Sequence, residues 1–102
     1  MLTRNDTCTI KDPLQKLEIL ANETMLNALQ QAENAHMAFE ENNQEDYQTY
    51  VANVWYLLGK HRAYMGMIEK QNFSLWMHMN KRDATNITKI KTKIQLGDKY
   101  GK

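Results

Sequence analysis

The sequence predicts a mainly α-helical protein: a long antiparallel helical hairpin followed by a short C-terminal helix or strand, with the bundle completed by oligomerisation. Three observations carry that expectation. Apolar residues recur at steps of three and four over residues 14–39 and again over 47–68. A short polar link joins the two stretches, and the second is apolar on more sides than a single partner helix can cover.

The first helix opens at Asp12-Pro13, where the aspartate can cap free amides and the proline's missing N–H costs nothing. Leu14, Leu17, Ala21, Met25, Ala28, Ala32, Ala35 and Phe39 then fall on one face, so a helix is predicted over 13–41. Its stripe is rich in alanine, which suits the close approach of a second helix. Glu40 to Gln44 is polar, and Asn43 followed by Asp46 resembles a capping pair for the next helix.

The second helix is predicted from about Gln44 to Gln71, with Tyr47, Tyr50, Val51, Val54, Leu58, His61, Met65 and Ile68 on one face. Between Tyr50 and Leu58 only Asn53 is polar, so this segment needs cover on more than one side. Gly59 and Gly66 share a helical face, and close approach of another helix is the simplest reason for glycine there.

A break is expected near Asn72, with Ser74 able to cap a short helix beyond it. Residues 87–96 read two ways. Thr88, Ile90, Thr92, Ile94 and Leu96 alternate with polar residues as in a half-buried strand, for which Thr7 to Ile10 is the internal pairing candidate. Ile87, Ile90 and Ile94 equally keep helical spacing, with Asp83 as a cap and Gly97 as a stop. The end from Gly97 to Lys102 reads as a frayed tail. We therefore divide the chain into a hairpin domain, 1–82, and a basic C-terminal segment and tail, 83–102, which is expected to bind partners and to be dispensable for the hairpin.

With 102 residues, 42% hydrophobic and 25% charged, the chain has the size and composition of one folded domain. Its one cysteine, Cys8, reads as a spectator thiol and excludes an internal disulfide framework, which favours a reducing compartment. The first residues carry no apolar leader, and the longest apolar runs, such as Val54 to Leu58, are far too short to span a membrane. A cytoplasmic location is expected, or a virion if the protein is viral. Four Asn-x-Ser/Thr sequences, at Asn5, Asn22, Asn72 and Asn86, carry no meaning without export. Net charge is +1, but residues 1–50 hold three basic and nine acidic side chains while residues 80–102 hold seven basic and two acidic. That asymmetry suits an electrostatic partner for the C-terminal segment or head-to-tail contact between copies.

No arrangement of residues points to catalysis. Glu33 and His36 have the Glu-x-x-His spacing of di-iron ligands, but Val51 to Ile68 offers no carboxylate to bridge metals, only His61. No nucleophile motif or phosphate-binding glycine loop is present, so neither cofactor nor metal is expected. Apolar surface is the remaining signal. Met65, Met67, Met77 and Met79 lie among aromatic and aliphatic residues between Tyr64 and Met79, and methionine-rich surfaces adapt to partners. We expect a non-enzymatic interaction or assembly component, a small accessory or structural subunit of viral or phage type. Its partner would be another protein or further copies of itself, and its contact residues Tyr50, Val54, Trp55, Leu58, Met65, Met67, Phe73, Trp76, Met77, Ile90 and Ile94. The alternative is a nucleic-acid-binding regulatory module that meets a polyanion through Lys81, Arg82, Lys89, Lys91 and Lys93. A solvated face explains those cations more simply.

Overall fold

The computed structural model describes the backbone of residues 12–100 and the side chains of residues 12–95. Among them there are three helices and no strand: α1, Pro13–Glu40, α2, Gln44–Gln71, and α3, Phe73–Tyr100. Cys8, the Thr7 to Ile10 stretch, Asn5 and Lys102 lie outside the described residues.

Local side-chain chemistry sets each boundary. Asp12 Oδ1 accepts the Gln15 N–H at 2.7 Å and Pro13 follows at the first helical position, so α1 starts where its free donors find an acceptor. At its other end Asn42 adopts φ 61°, a left-handed conformation that asparagine tolerates better than most residues. That turn lets the Asn43 N–H reach the Ala38 carbonyl (2.8 Å) and the Asn42 N–H reach that of Phe39 (3.1 Å), the two bonds of a Schellman motif. Asn43 immediately begins α2. Its Oδ1 accepts the Asp46 N–H at 3.1 Å while its Nδ2 donates to the Asp46 carboxylate at 2.8 Å. One residue therefore ends one helix and starts the next.

Asn72 does the same between α2 and α3. Its backbone is extended, its N–H closes α2 on the Ile68 carbonyl (2.7 Å), and its Oδ1 accepts the Leu75 N–H (3.0 Å) to open α3. The cap is thus Asn72, not Ser74. Instead of a short helix or a strand, α3 is a helix as long as the other two, and it continues past Gly97. Met79, Asp83, Ile87, Ile90 and Ile94 step along one face of it, and all but the half-buried Ile87 are buried. Burial of that stripe decides between the two periods: a strand would turn half of it to solvent and leave its backbone donors unpaired.

Side-chain contacts give the directions. Residues of α2 meet residues of α1 in descending order, with Phe39 against Tyr47 (ring centroids 6.1 Å apart) and Gln31 bonded to Asn53 (3.0 Å). α2 and α3 are likewise antiparallel, since Tyr47 donates to the Ile94 carbonyl (2.6 Å) and His61 to Asp83 (3.0 Å). α1 and α3 run parallel, joined by Asn22 with Arg82 and Glu33 with Lys93.

The alanine stripe is buried, with Ala21, Ala28, Ala32 and Ala35 fully inaccessible. The core forms two apolar clusters. One gathers Met25, the alanines from Ala28 to Ala38, Tyr47, Val54, Ile90 and Ile94; the other gathers Ala21, Met65, Ile68 and Met79. Fully burying a residue such as Val54, Ile68 or Ile90 stabilises by about 1.5–3 kcal/mol. The residues expected to form a separate, dispensable segment supply part of this core, because Asp83, Ile90 and Ile94 are all buried. The boundary drawn between Arg82 and Asp83 falls inside α3.

Candidate interaction surface

The eleven residues expected to form contacts do not share one environment. Val54, Met65, Ile90 and Ile94 are buried within the chain, where their apolar surface is already covered, so they cannot also meet a partner while the helices stay packed. Tyr50, Leu58 and Trp76 are half-buried. Four remain exposed: Trp55, Met67, Phe73 and Met77, each with about half its surface open (52%, 51%, 55% and 48%). Sequence periodicity does not single out Tyr56, which is 64% exposed, or Ile19, Leu20, Leu26 and Met37 on α1. These apolar residues sit off the buried stripes of their helices, and that offset is the sequence signal that marks them.

Trp55 stands at the edge of a groove of about 260 Å³ between α2 and α3, lined also by Leu58, Gly59, His61, Arg62, Ile87 and Lys91. A Cβ placed on Gly59 or on Gly66 would meet nothing within 4 Å. The glycines therefore make no close helix approach within the chain, contrary to the simplest reading of their spacing.

Beneath this groove a buried polar layer separates the two apolar clusters. His61 and Asp83, 4% and 2% exposed, are joined Nε2 to Oδ2 at 3.0 Å. The other carboxylate oxygen accepts from Arg82 Nε at 3.4 Å, and Arg82 also donates to Asn22. The relay ties all three helices together. Thr24, also buried, turns its hydroxyl back onto the Ala21 carbonyl (2.8 Å), so it needs no partner from another helix. An imidazole oriented by a carboxylate can hold or move a proton, but the groove above it carries neither hydroxyl nor thiol to be activated.

A second groove, about 490 Å³, lies between α1 and α3 and is lined by His36, Thr85, Thr88, Lys89, Thr92 and Lys93. Here Lys93 Nζ donates to Glu33 at 2.9 Å; that hydrogen bond first, and the lysine's charge with it, holds the Glu33 carboxyl below the usual carboxylate range. His36 reaches Glu40 at 3.7 Å while its buried Nδ1 finds no partner among the described residues. Glu33, His36 and His61 are not gathered into a ligand set. Among the described residues no three His, Cys, Asp or Glu side chains form a group that could hold a metal ion.

The cations expected to meet a polyanion all lie on α3, with Lys81, Arg82, Lys89 and Lys93 within about a third of its circumference and Lys91 apart from them. Arg82 is engaged by Asp83 and Asn22, Lys93 by Glu33, Lys89 lines the α1–α3 groove, and Lys91 lines the groove on the opposite side of α3. Arg82 and Lys93 thus both reach α1, where the Lys93–Glu33 pair joins opposite charges from the two ends of the sequence. No helix among the described residues is long and apolar enough to cross a membrane. No protein-family model matches the chain, and neither a curated protein nor a solved structure matches it.

Proposed function

We propose that the protein is a non-enzymatic interaction or assembly component that self-associates through the outward side of α2 and the first turns of α3. The observation that supports this most is the set of large apolar side chains left in solvent, outside the α2–α3 groove, after three helices have packed: Tyr56, Met67, Phe73 and Met77. Aromatic and methionine side chains at this exposure are characteristic of contact surfaces and cost solubility when left uncovered. α3 already covers one side of α2, through Asp83 on His61 and Ile94 on Tyr47, so the surplus that needs a second chain is the part beyond its reach. Against the nucleic-acid reading, Arg82 and Lys93 are already engaged by Asp83 and Glu33, which leaves fewer free charges for a phosphate backbone.

Light scattering coupled to gel filtration tests the proposal. The full chain at tens of micromolar should elute as a defined oligomer, and Phe73→Glu with Met77→Lys should reduce it to a monomer with its helical content intact. A wild-type chain that stays monomeric throughout that range overturns the self-association.

A further inference from the structure

We propose that the α2–α3 groove is a binding site for a small organic anion with a flat apolar body, a single ring carrying a carboxylate or phosphate head. Four features converge there. Trp55 is half exposed at the rim and offers an apolar wall, with Leu58 and Ile87 beside it. Arg62 and Lys91 bring two cations from different helices to the same groove, and neither has an ion-pair partner among the described residues. The buried His61 is a polar contribution to the lining, and its bond to Asp83 at 3.0 Å fixes the orientation of the ring, as a ligand site requires of its polar groups. Finally, Gly59 forms part of the wall with open space where a Cβ would stand. A glycine inside a helix costs up to about 1 kcal/mol against alanine, and no packing within the chain calls for it. With glycine at 59 that part of the groove wall stays clear, and a large side chain there would enter it.

The volume, about 260 Å³, lies just under the usual range for ligand pockets, which limits the occupant to one ring and its head group. Two unpaired cations beside an aromatic residue select a negative charge on that ring system. The site stands apart from the proposed self-association, since Met67, Phe73 and Met77 take no part in its lining.

The test is a two-dimensional amide NMR titration of the full chain with benzoate, phenyl phosphate and, as the uncharged control, benzyl alcohol, at constant chloride and ionic strength. Benzoate and phenyl phosphate distinguish the two head groups. Saturable shifts are expected at the Trp55 indole and at the Gly59, Arg62 and Lys91 amides with at least one anion, binding at least tenfold tighter than the alcohol. Gly59→Leu should weaken that anion at least tenfold while melting no lower than wild type. Arg62→Gln with Lys91→Gln, both exposed positions, should erase its advantage over the alcohol. Equal binding of the alcohol, shifts that spread over all lysines without saturating, or affinity untouched by both variants would each overturn the assignment. The readout is local binding, so it succeeds or fails whatever the oligomeric state.

Discussion

Removing one member of the His61–Asp83 pair should destabilise the fold far more than removing both. Asp83→Ala leaves an imidazole that is 4% exposed facing a cavity in place of its acceptor, and His61→Leu leaves a 2% exposed carboxylate with only Arg82 for company. Breaking a buried pair in this way costs about 3–5 kcal/mol, a large share of the roughly 5–15 kcal/mol by which a domain is stable. Arg82 moderates the loss only slightly, since its side chain is 46% exposed and its bond to Asp83 is long at 3.4 Å. Replacing both partners with apolar residues of similar volume, His61→Leu with Asp83→Val, removes two desolvation costs together and joins the apolar clusters on either side. That double variant should lie within about 1 kcal/mol of wild type, which makes the two changes strongly non-additive. Urea unfolding followed by circular dichroism at neutral pH measures all four members of the cycle, and an unchanged dependence on urea would show that the native and denatured states are comparable. If the double variant loses the sum of the single losses, His61 and Asp83 are not a coupled buried unit.

The alanine seam gives a second expectation: Ala28→Leu or Ala35→Leu, at positions with no accessible surface, should overfill the contact and lower stability by about 1–3 kcal/mol in thermal melts. Glu33 gives a pH dependence. Because Lys93 lowers its pKa in the folded state, its contribution is present above the ordinary value of about 4.5 and is lost as the pH falls through the lowered folded value. The difference in melting temperature between wild type and Glu33→Gln should therefore be present at neutral pH and vanish in acid, and a difference that grows on acidification would contradict the pair. A chain ending at Arg82 should lose cooperative unfolding, since it lacks Asp83, Ile90 and Ile94; a sharp, reversible melt from that truncated protein would show that α1 and α2 suffice.

The parts of this fold that sequence can show are those set by residues a few positions apart. Asp12-Pro13, Asn43 with Asp46, and the polar link at 41–43 act through bonds between neighbours, and α1 and α2 begin and end where those residues place them. α3 is different. Its lysines and isoleucines satisfy a strand and a helix almost equally, and the balance is tipped by contacts with residues far off in the chain, such as Tyr47 on the Ile94 carbonyl. Local pattern carries no information about such contacts, which is why Asp83 reads as a cap and the segment as detachable. Asn72 displaces Ser74 as the cap for a more local reason, the extended backbone at Asn72 that turns its side chain onto the free amides of the next helix.

One signal of the buried layer is nevertheless present in the sequence. His61 lies on the apolar stripe of α2 between Val54 and Ile68, and Asp83 lies on the stripe of α3 between Met79 and Ile90. A single polar residue on such a stripe is costly unless another element supplies a partner, so one on each of two helices is a reason to pair them. Pairing them fixes the rest: if His61 faces Asp83, antiparallel helices bring Tyr47 toward the far end of α3, where Ile94 accepts its hydroxyl. The same step explains why the interaction surface is only partly visible in the sequence. An apolar residue serves a partner only if the chain's own helices leave it open, and that cannot be decided before α3 is known to pack. Val54, Met65, Ile90 and Ile94 are consumed by α3 and its neighbours, whereas Trp55, one residue beyond Val54, is turned by the helical step toward the groove that α2 and α3 leave between them.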